Sequence, residues 1–532
     1  MKLFAELYSQ LDGTTRTARK VAALVDFFRA CDPASGAWGV YFLSGRRLKR
    51  LVPVRFLQQC CCRMASIDDW LFTECYSTVG DLAETMALLL PAASTSSGGT
   101  LADWVTNHIE PLARQSPEER AESITTAWNQ LSAHERFVFN KLVTGGLRVG
   151  VSQGLVMRAL SEVAHVPTGT IAQRLMGTWE PSAGFYERLL SVDTVEEDPG
   201  RPYPFCLAHP LTGPVADLGA IDDWVIERKW DGIRAQLIRR DGPPVLWSRG
   251  EEPMLDRFPE LSATIQSLPV GTVLDGEVLG WNETGVMPFA ALQRRLNRKS
   301  VGKKLLAEVP ARYVVFDLLE WQGIDLRQQP LRERRRLLKD DLFAAGPWPG
   351  LQLAEQLRPA DWSECASVQA DCRAHGVEGL MLKRADGEYG VGRPTGLWWK
   401  WKVQPMTCDA VLIYAQKGHG RRASLFTDYT FAVWKEGALV PFAKAYSGLS
   451  DAEIREVDRF IRSHTQETFG PVRSVAPELV FELAFEGIQS SPRHKSGIAV
   501  RFPRMLRWRR DKRADQADSL ETLQQLLAGV AR

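Results

Sequence analysis

The chain has 532 residues, of which 45% are hydrophobic and 24% are charged, and its formal net charge is +2. This composition excludes a largely disordered chain, and the length exceeds one ordinary core, so we expect about two to four domains. No stretch approaches the roughly 20 consecutive apolar residues that span a bilayer. The near-neutral net charge does not exclude a polyanionic partner, because binding to such a partner depends on where the charges lie.

The nine cysteines include the run Cys60–Cys62 but no Cys-x-x-Cys pair. This spacing argues against a structural zinc site, which needs spaced ligands. The odd count, together with a charged N-terminus that does not read as a secretory leader, predicts a reducing cytoplasm.

In the first part of the chain, apolar residues recur at helical spacing. Phe4, Leu7 and Leu11 share one face, and Ser116 with Glu119 has the spacing of a capping box that opens a helix. We therefore predict an all-α domain over residues 1–195. An acidic, proline-rich segment over residues 196–210 reads as a linker.

After the linker, the sequence changes to short strands rich in Val, Ile and aromatic residues, with helices between them. This pattern predicts a mixed α/β domain over residues 211–405. Predicted strands at 410–416, 426–434, 439–445 and 479–485 follow, with one helix opened by Ser450 between them. Such short strands favour a small β-barrel of the OB type over residues 406–532.

The most informative stretch is Glu227–Gly232, which places Lys229 on a short turn between two predicted strands. An isolated lysine of this kind is most often an ordinary surface residue. Here further motifs follow in order: Leu274–Glu277, Tyr313–Leu318, Glu378–Lys383, Trp399–Lys402, and Arg501–Arg504 through Lys512. In that order they resemble the covalent nucleotidyltransferases, and specifically the ATP-dependent DNA ligases, over nearly the whole chain.

The resemblance implies a three-step reaction. Lys229 displaces pyrophosphate from ATP and holds AMP as a phosphoramidate, AMP passes to the 5′-phosphate at a nick, and the 3′-hydroxyl attacks with release of AMP. A lysine amine is nucleophilic only without its proton, and nearby cations would favour that form. The candidates for such neighbours are Lys383, Lys400 and Lys402.

The resemblance also implies which residues contact the nucleotide and the metal. The implied nucleotide contacts are Glu227, Arg234, Arg249, Glu277, Phe316, Lys383, Arg393, Lys400, Lys402, Arg504 and Lys512. Glu277 and Glu378 match carboxylates near the divalent metal, and Mg²⁺ needs few carboxylates because it keeps waters and phosphate oxygens. At Arg393 the spacing to Lys400 is one residue longer than the family pattern.

Strand geometry makes a further prediction for the Trp399–Lys402 motif. Its alternation puts both lysines on one face of a strand and both tryptophans on the other.

Two further regions point to DNA. Residues 141–152 form a glycine-punctuated loop with basic and hydroxyl groups, which resembles the DNA-gripping loops of the ligases' helical domain and implies DNA contacts by Arg148, Gly150 and Ser152. A helix C-cap with an exposed arginine is the plain alternative. The basic cluster at residues 501–513 resembles a barrel-domain element that closes over the ATP pyrophosphate and later swings away.

Several alternatives compete with this interpretation. RNA ligases and GTP-using mRNA capping enzymes share the lysine motif, but the long helical region before the core favours duplex DNA. A DNA-binding nick clamp without catalysis would lack an essential group, whereas all the motif lysines and glutamates are present. NAD is disfavoured because no nicotinamide-contacting region or cysteine zinc cluster is visible.

The resemblance thus implies an enzyme that uses ATP and Mg²⁺. It would act as a cytoplasmic monomer that encircles nicked duplex DNA in repair, replication or recombination.

Overall fold

The computed structural model describes the chain except residues 49–50, 94–97, 193–198, 251, 297, 299–300, 419–423, 470–471 and 531–532. Contacts divide it into two compact units, Met1–Val156 with Gln404–Arg532, and Met157–Val403. The domain boundaries drawn from the sequence stay predictions. None of the helices in the described ranges has the length and hydropathy of a membrane span.

The described residues before position 193 form helices, as the sequence predicts for this region. Phe4, Leu7 and Leu11 are buried on the inner face of the first helix. The Ser116 hydroxyl accepts a hydrogen bond from the Glu119 amide at 3.2 Å, and the Glu119 carboxylate accepts one from the Ser116 amide at 2.9 Å, which confirms the predicted capping box. The helices are α1 (Lys2–Asp12), α2 (Thr17–Ala30), α3 (Pro33–Leu43), α4 (Val54–Ala65), α5 (Asp69–Val79), α6 (Leu82–Leu89), α7 (Leu101–Trp104), α8 (Pro117–Gln130), α9 (Ala133–Thr144), α10 (Gln153–Ala164), α11 (Thr168–Leu175) and α12 (Ala183–Leu190).

The central part of the chain folds into two β-sheets with helices outside them. Its strands are β1 (His209–Pro210), β2 (Trp224–Arg228), β3 (Ile233–Arg239), β4 (Val245–Ser248), β5 (Thr272–Asn282), β6 (Gly285–Val286), β7 (Ala311–Trp321), β8 (Ile324–Asp325), β9 (Leu351–Leu353), β10 (Gln356–Leu357), β11 (Gly379–Arg384) and β12 (Trp398–Lys402). Its helices are α13 (Ser262–Ser267), α14 (Phe289–Leu296), α15 (Lys303–Glu308), α16 (Leu331–Leu337) and α17 (Trp362–Asp371).

The two sheets of the core share one apolar layer. Sheet A has the order β1-β12-β11-β2-β10, and sheet B has the order β4-β3-β5-β7-β8, with β6 on β5 and β9 on β7. Alternation along β3 sends Leu237 to the helical side of sheet B and Ile238 to the other side, where it packs in one cluster with Trp398 of sheet A. Cys365 of α17 covers the outer face of sheet A. The α/β core predicted from the sequence is therefore confirmed.

Three motif glycines lie where strands approach too closely for a side chain. A Cβ atom at Gly232 would stand 2.8 Å from Cγ of Glu277, and one at Gly276 would stand 2.5 Å from a backbone oxygen of β7. At Gly379 the φ angle is +138°, and a Cβ atom would collide with the backbone of Trp401. These glycines let the motif-bearing strands meet around Lys229.

The described end of the predicted linker is docked on the core. The Tyr203 hydroxyl donates a hydrogen bond to Glu320 at 2.7 Å. The guanidinium carbons of Arg240 and Arg327 lie 4.9 and 3.8 Å from the centroid of the Tyr203 ring. This segment is thus anchored, and residues 196–198 of the predicted linker lie outside the described residues.

The described C-terminal part has a seven-stranded sheet, a separate two-stranded sheet of β19 and β20, and two α-helices. Its elements are β13 (Met406–Lys417), β14 (Phe426–Lys435), β15 (Ala438–Ala445), α18 (Asp451–Ser463), β16 (Thr465–Phe469), β17 (Val472–Val475), β18 (Val480–Phe485), β19 (Gly487–Ser490), β20 (Ile498–Arg501), β21 (Arg504–Trp508) and α19 (Leu520–Val530). The long β13 pairs with β14 on one side and with β18 and then β17 on the other, which bends the seven-stranded sheet into a half-barrel. The four predicted strands and the helix capped by Ser450 are confirmed.

Candidate active site

Lys229 lies directly after β2, at the end of sheet A where β11 begins. Its amide donates a hydrogen bond to the Gly379 carbonyl at 2.8 Å, and its carbonyl accepts one from the Glu378 amide at 2.9 Å. Lys229 Nζ forms an ion pair with the Glu378 carboxylate, and Lys402 Nζ lies 3.8 Å from the same carboxylate. The structure therefore brings together three predicted site residues from the ends of three strands.

The two motif lysines of β12 point to one side of sheet A. Lys400 pairs in register with Met381, and Lys402 pairs with Gly379. Trp399 and Trp401 pack in the apolar cluster on the opposite side of the sheet. The predicted alternation is confirmed, and it places both ammonium groups on the same face as Glu227, the register partner of Met381.

Glu277 is the second carboxylate beside Lys229. It lies on β5 opposite Arg234 of β3. Burial raises the pKa of the Glu277 carboxyl to about 7, although the charges of Lys229, Arg234 and Arg249 act in the opposite direction. Within the described residues, no group of three or more His, Cys, Asp or Glu side chains forms a metal cage.

Glu227 is buried and is held by two cations. Its Oε2 lies 2.6 Å from Lys383 Nζ, and its Oε1 accepts from Arg335. Lys383 is almost fully buried, and its Nζ lies 3.7 Å from the centroid of the Phe316 ring. Burial lowers the pKa of Lys383, and Glu227 opposes that shift. The ammonium of Lys383 thus lies between the Glu227 carboxylate and the Phe316 ring.

Arg234 is embedded in the layer between the two sheets. Its guanidinium donates to Asp275 at 2.6 Å and to the carbonyl of Cys206 at 2.6 Å, and it lies 5.4 Å from the Phe316 ring centroid. The Tyr389 hydroxyl donates to the same aspartate at 2.6 Å. Arg234 therefore packs beside the Phe316 ring and is itself held in place by Asp275.

The remaining predicted nucleotide contacts lie elsewhere in the fold. Arg393 is exposed in the loop between β11 and β12. Arg504 and Lys512 belong to the other compact unit, where Arg504 lies 3.6 Å from Glu486 and Lys512 Nζ lies 2.5 Å from Asp409. Their contacts to nucleotide stay predictions.

A buried lysine binds backbone carbonyls of the glycine-containing loop after α9. Gly145 ends α9 in the left-handed conformation, so the C-cap alternative is correct for that residue. Lys20 Nζ donates to the Gly150 carbonyl at 2.7 Å and approaches the Val149 carbonyl at 3.4 Å. Arg148 stays exposed on the loop.

Comparison with known proteins assigns the family. Three family descriptions match in succession: DNA ligase N terminus over residues 1–161, ATP dependent DNA ligase domain over 206–402, and ATP dependent DNA ligase C terminal region over 422–512. A probable DNA ligase of Koribacter versatilis is 31% identical, over 99% of this chain and 96% of its own length. The chain belongs to the ATP-dependent DNA ligases. A DNA ligase of Natronomonas pharaonis is 32% identical over 77% of this chain and 75% of its own length.

A solved structure titled Pmar-Lig_Pre has the same fold. It superposes with a TM-score of 0.63 at 17% identity, and the match covers 95% of this chain and 99% of that chain. By its membership of the family, this ligase seals nicks in duplex DNA, and the family does so with ATP through a lysyl-AMP intermediate. The enzyme class predicted from the motifs is confirmed.

Sequence reasoning missed three residues that hold the site together. Asp275 binds Arg234, Tyr389 binds Asp275, and Arg335 binds Glu227. The last two pairs are separated by 114 and 108 residues along the chain, so no local pattern reveals them. Asp275 stands inside the Leu274–Glu277 motif, which was the one available signal.

Proposed function

We propose that Lys229 of this ligase is the residue that becomes adenylated. The observation that carries the proposal is the pair of backbone hydrogen bonds between Lys229 and Glu378–Gly379, because they fix the lysine beside both motif glutamates. Backbone hydrogen bonds keep the main chain of the nucleophile in place while its ammonium group exchanges partners.

In the first step Lys229 Nζ attacks the α-phosphorus of ATP. The charged amine first releases one proton to solvent. The N–P bond then forms as the P–O bond to pyrophosphate breaks, and the bonded Nζ releases a second proton to solvent. The ion pair with Glu378 must loosen first, and Lys402 is placed to hold that carboxylate instead. The 5′-phosphate of the nick then takes AMP from Nζ, and the 3′-hydroxyl displaces AMP from the adenylated end.

Different residues around Lys229 would contact the base and the phosphates of the nucleotide. Phe316 offers a ring for the adenine, and Glu227 lies at the base edge on the face shared with Lys400. The ammonium groups of Lys400 and Lys402 would stabilise the charge that develops as pyrophosphate leaves. Arg234, Arg249, Lys383 and Arg393 complete the proposed nucleotide contacts.

Glu277 and Glu378 would hold Mg²⁺. Their chemistry fits this ion, because Mg²⁺ takes one or two carboxylates and leaves its other positions to water and substrate phosphates. Both carboxylates interact with Lys229, Glu378 from the position before β11 and Glu277 from β5. When bound, the ion would neutralise charge on the phosphates.

On the scale of domains, we propose that the C-terminal half-barrel is an OB fold and that the enzyme is a cytoplasmic monomer that closes around nicked DNA. Arg504 and Lys512 would act on the ATP pyrophosphate, and Arg148, Gly150 and Ser152 on the DNA backbone. The nine cysteines are all described and none is in a disulfide, which suits a reducing compartment.

The test is to incubate wild type and Lys229→Ala with α-labelled ATP or GTP and Mg²⁺, and then to add nicked DNA. We expect label from ATP on the wild type alone, discharged by the nicked DNA as sealed product appears. Lys304→Ala is the matched control, because the Lys304 side chain is 92% exposed. Label on Lys229→Ala, or label from GTP in preference to ATP, would contradict the proposal.

A further inference from the structure

Three consecutive arginines on α16 have three different environments. Arg334 is fully buried and forms two hydrogen bonds with Asp317, at 2.8 and 2.9 Å. Arg336 points to the surface, where it pairs with Glu333. Arg335 points between them toward the candidate active site, because successive helical residues are turned about 100° from one another.

The Arg335 guanidinium joins the two sheets of the core. One of its nitrogens binds the Glu227 carboxylate of sheet A and donates to the Phe316 carbonyl of sheet B at 3.1 Å. Another donates to the Ala354 carbonyl at 3.0 Å. The Arg335 side chain is only 10% exposed and that of Glu227 is 5% exposed, so water competes little for these contacts.

Glu227 and Phe316 are the two residues proposed to meet the adenine, and Arg335 touches both. The other oxygen of Glu227 is held by Lys383, whose ammonium lies against the Phe316 ring. The carboxylate and the ring are thus fixed relative to each other by one guanidinium and one ammonium. A planar guanidinium can serve a carboxylate and two carbonyls at once, which a lysine ammonium at the same position cannot do in the same geometry.

We propose that Arg335 is a positioning residue for base recognition in the first step of this ligase. It sets the Glu227 carboxylate and the Phe316 ring at the distance and angle that adenine requires. The inference rests on the proposed function of Lys229, and it deepens that function by assigning nucleotide selection to a helix that carries none of the family motifs quoted above.

The test compares full-length Arg335→Met and Arg335→Lys with Arg336→Met, a control one position along the same helix. We expect the KM for ATP in self-adenylation to rise by at least about tenfold in Arg335→Met, because a buried charged group loses its partner. The preference for ATP over GTP should fall by a similar factor. Arg335→Lys should lie between this variant and wild type, and Arg336→Met should match wild type.

Sealing of a nick that already carries the 5′-adenylate separates positioning from general stability. In this reaction the adenylate is already joined to the DNA, so capture of free ATP is not needed and the bound duplex delivers the adenine. At saturating nicked DNA the sealing rate of Arg335→Met should therefore stay within about twofold of wild type, a small change on the free-energy scale. Equal loss in adenylation and in this reaction would overturn the proposal, because it would show a purely structural role.

The remaining outcomes are also decisive. An unchanged KM for ATP together with unchanged nucleotide preference would overturn the proposal. If Arg335→Met does not fold, Arg335→Lys decides the question by the same two readouts. Failure of the wild type to take label on Lys229 would instead contradict the proposed function.

Discussion

At the scale of single residues, the site is a set of charges that hold one another in place. Lys229 is paired with Glu378, Glu227 with Lys383 and Arg335, and Arg234 with Asp275. Removing one partner of such a buried pair is costly, because it leaves the other charge without hydration or compensation. As the proposed nucleophile, Lys229 therefore starts from a paired state and must exchange partners to react.

Glu277 gives a prediction that needs no substrate. Its pKa is about 7 in the folded protein against an ordinary value of 4.5. Between these values the folded state keeps a proton that the unfolded state releases, so this group lowers the stability of the fold as the pH rises. Glu277→Gln should lack this pH-dependent loss of stability. The free energy of unfolding of the variant should therefore rise relative to that of the wild type as the pH increases from about 4.5 to about 7.

The measurement is denaturant unfolding of the metal-free proteins at several pH values. Above about pH 7 the difference between the free energies of unfolding of the two proteins should no longer change with pH. A difference between the proteins that stays constant from pH 5 to pH 8 would contradict the raised pKa of Glu277.

Motif spacing predicted the residues that face Lys229, but it could not predict their supports. Lys229, Glu378 and Lys402 converge as the motifs suggested. Arg335 lies 108 residues from Glu227 in the chain, so no local pattern links the two. The sequence also cannot show which of the three adjacent arginines binds Glu227, because the rotation of the helix determines which of them faces inward.

At the scale of secondary-structure elements, the strands approach closely because glycines occur at the contact points. Gly232→Ala would force a Cβ atom to 2.8 Å from Cγ of Glu277. We expect a cost of about 1–3 kcal/mol, typical of overpacking a core. The adenylation rate should fall with it, since the displaced strand carries Glu277.

Thermal unfolding and single-turnover adenylation test this prediction. Gly529→Ala is the control, because a Cβ atom there would meet nothing within 4 Å. Wild-type stability and rate in Gly232→Ala would show that the strand can yield and that the glycine is not required.

The loop after α9 gives a second prediction at this scale. Lys20 holds the Val149 and Gly150 carbonyls, so Lys20→Met should let the loop move and weaken binding to nicked DNA by about tenfold, while self-adenylation stays unchanged. Lys2→Met is the control, because that side chain is 83% exposed. Binding titrations that give wild-type affinity for Lys20→Met would exclude this loop as a DNA contact positioned by Lys20.

The elements themselves were predictable where the pattern was periodic. The capping boxes at Ser116 and Ser450 and the four C-terminal strands follow from local chemistry. The docking of Tyr203 between Arg240 and Arg327 was not predictable, because a proline-rich segment reads as a linker unless its distant partners are known.

At the scale of the whole molecule, the basic C-terminal cluster is largely balanced within its own domain. Arg507 pairs with Glu482, Arg509 with Asp409 and Asp511, and Arg510 with Glu456. The basic run at residues 501–513 does not reveal this balance in the sequence, because three of the acidic partners, Asp409, Glu456 and Glu482, lie 100, 54 and 25 residues from the arginines they bind. A role in the first step therefore rests on particular residues and not on the total charge of the cluster.

Arg504→Ala tests that role. If Arg504 acts on the ATP pyrophosphate, its loss should lower self-adenylation by about 10²-fold and leave sealing of a pre-adenylated nick intact, since only the first step needs pyrophosphate. Arg507→Ala is the control on the same strand, with a side chain 63% exposed. Equal effects of both variants on both reactions would contradict a specific role for Arg504.

Whether Lys229 is the adenylated residue is tested most simply by mapping the site of adenylation in the wild-type enzyme. The protein is incubated with ATP and Mg²⁺, digested under conditions that preserve the phosphoramidate, and analysed by peptide mass spectrometry, with a parallel sample discharged by pyrophosphate. We predict AMP on Lys229 alone, absent after discharge. AMP on Lys383, Lys400 or Lys402, or sealing of nicks by Lys229→Ala at the wild-type rate, would contradict it.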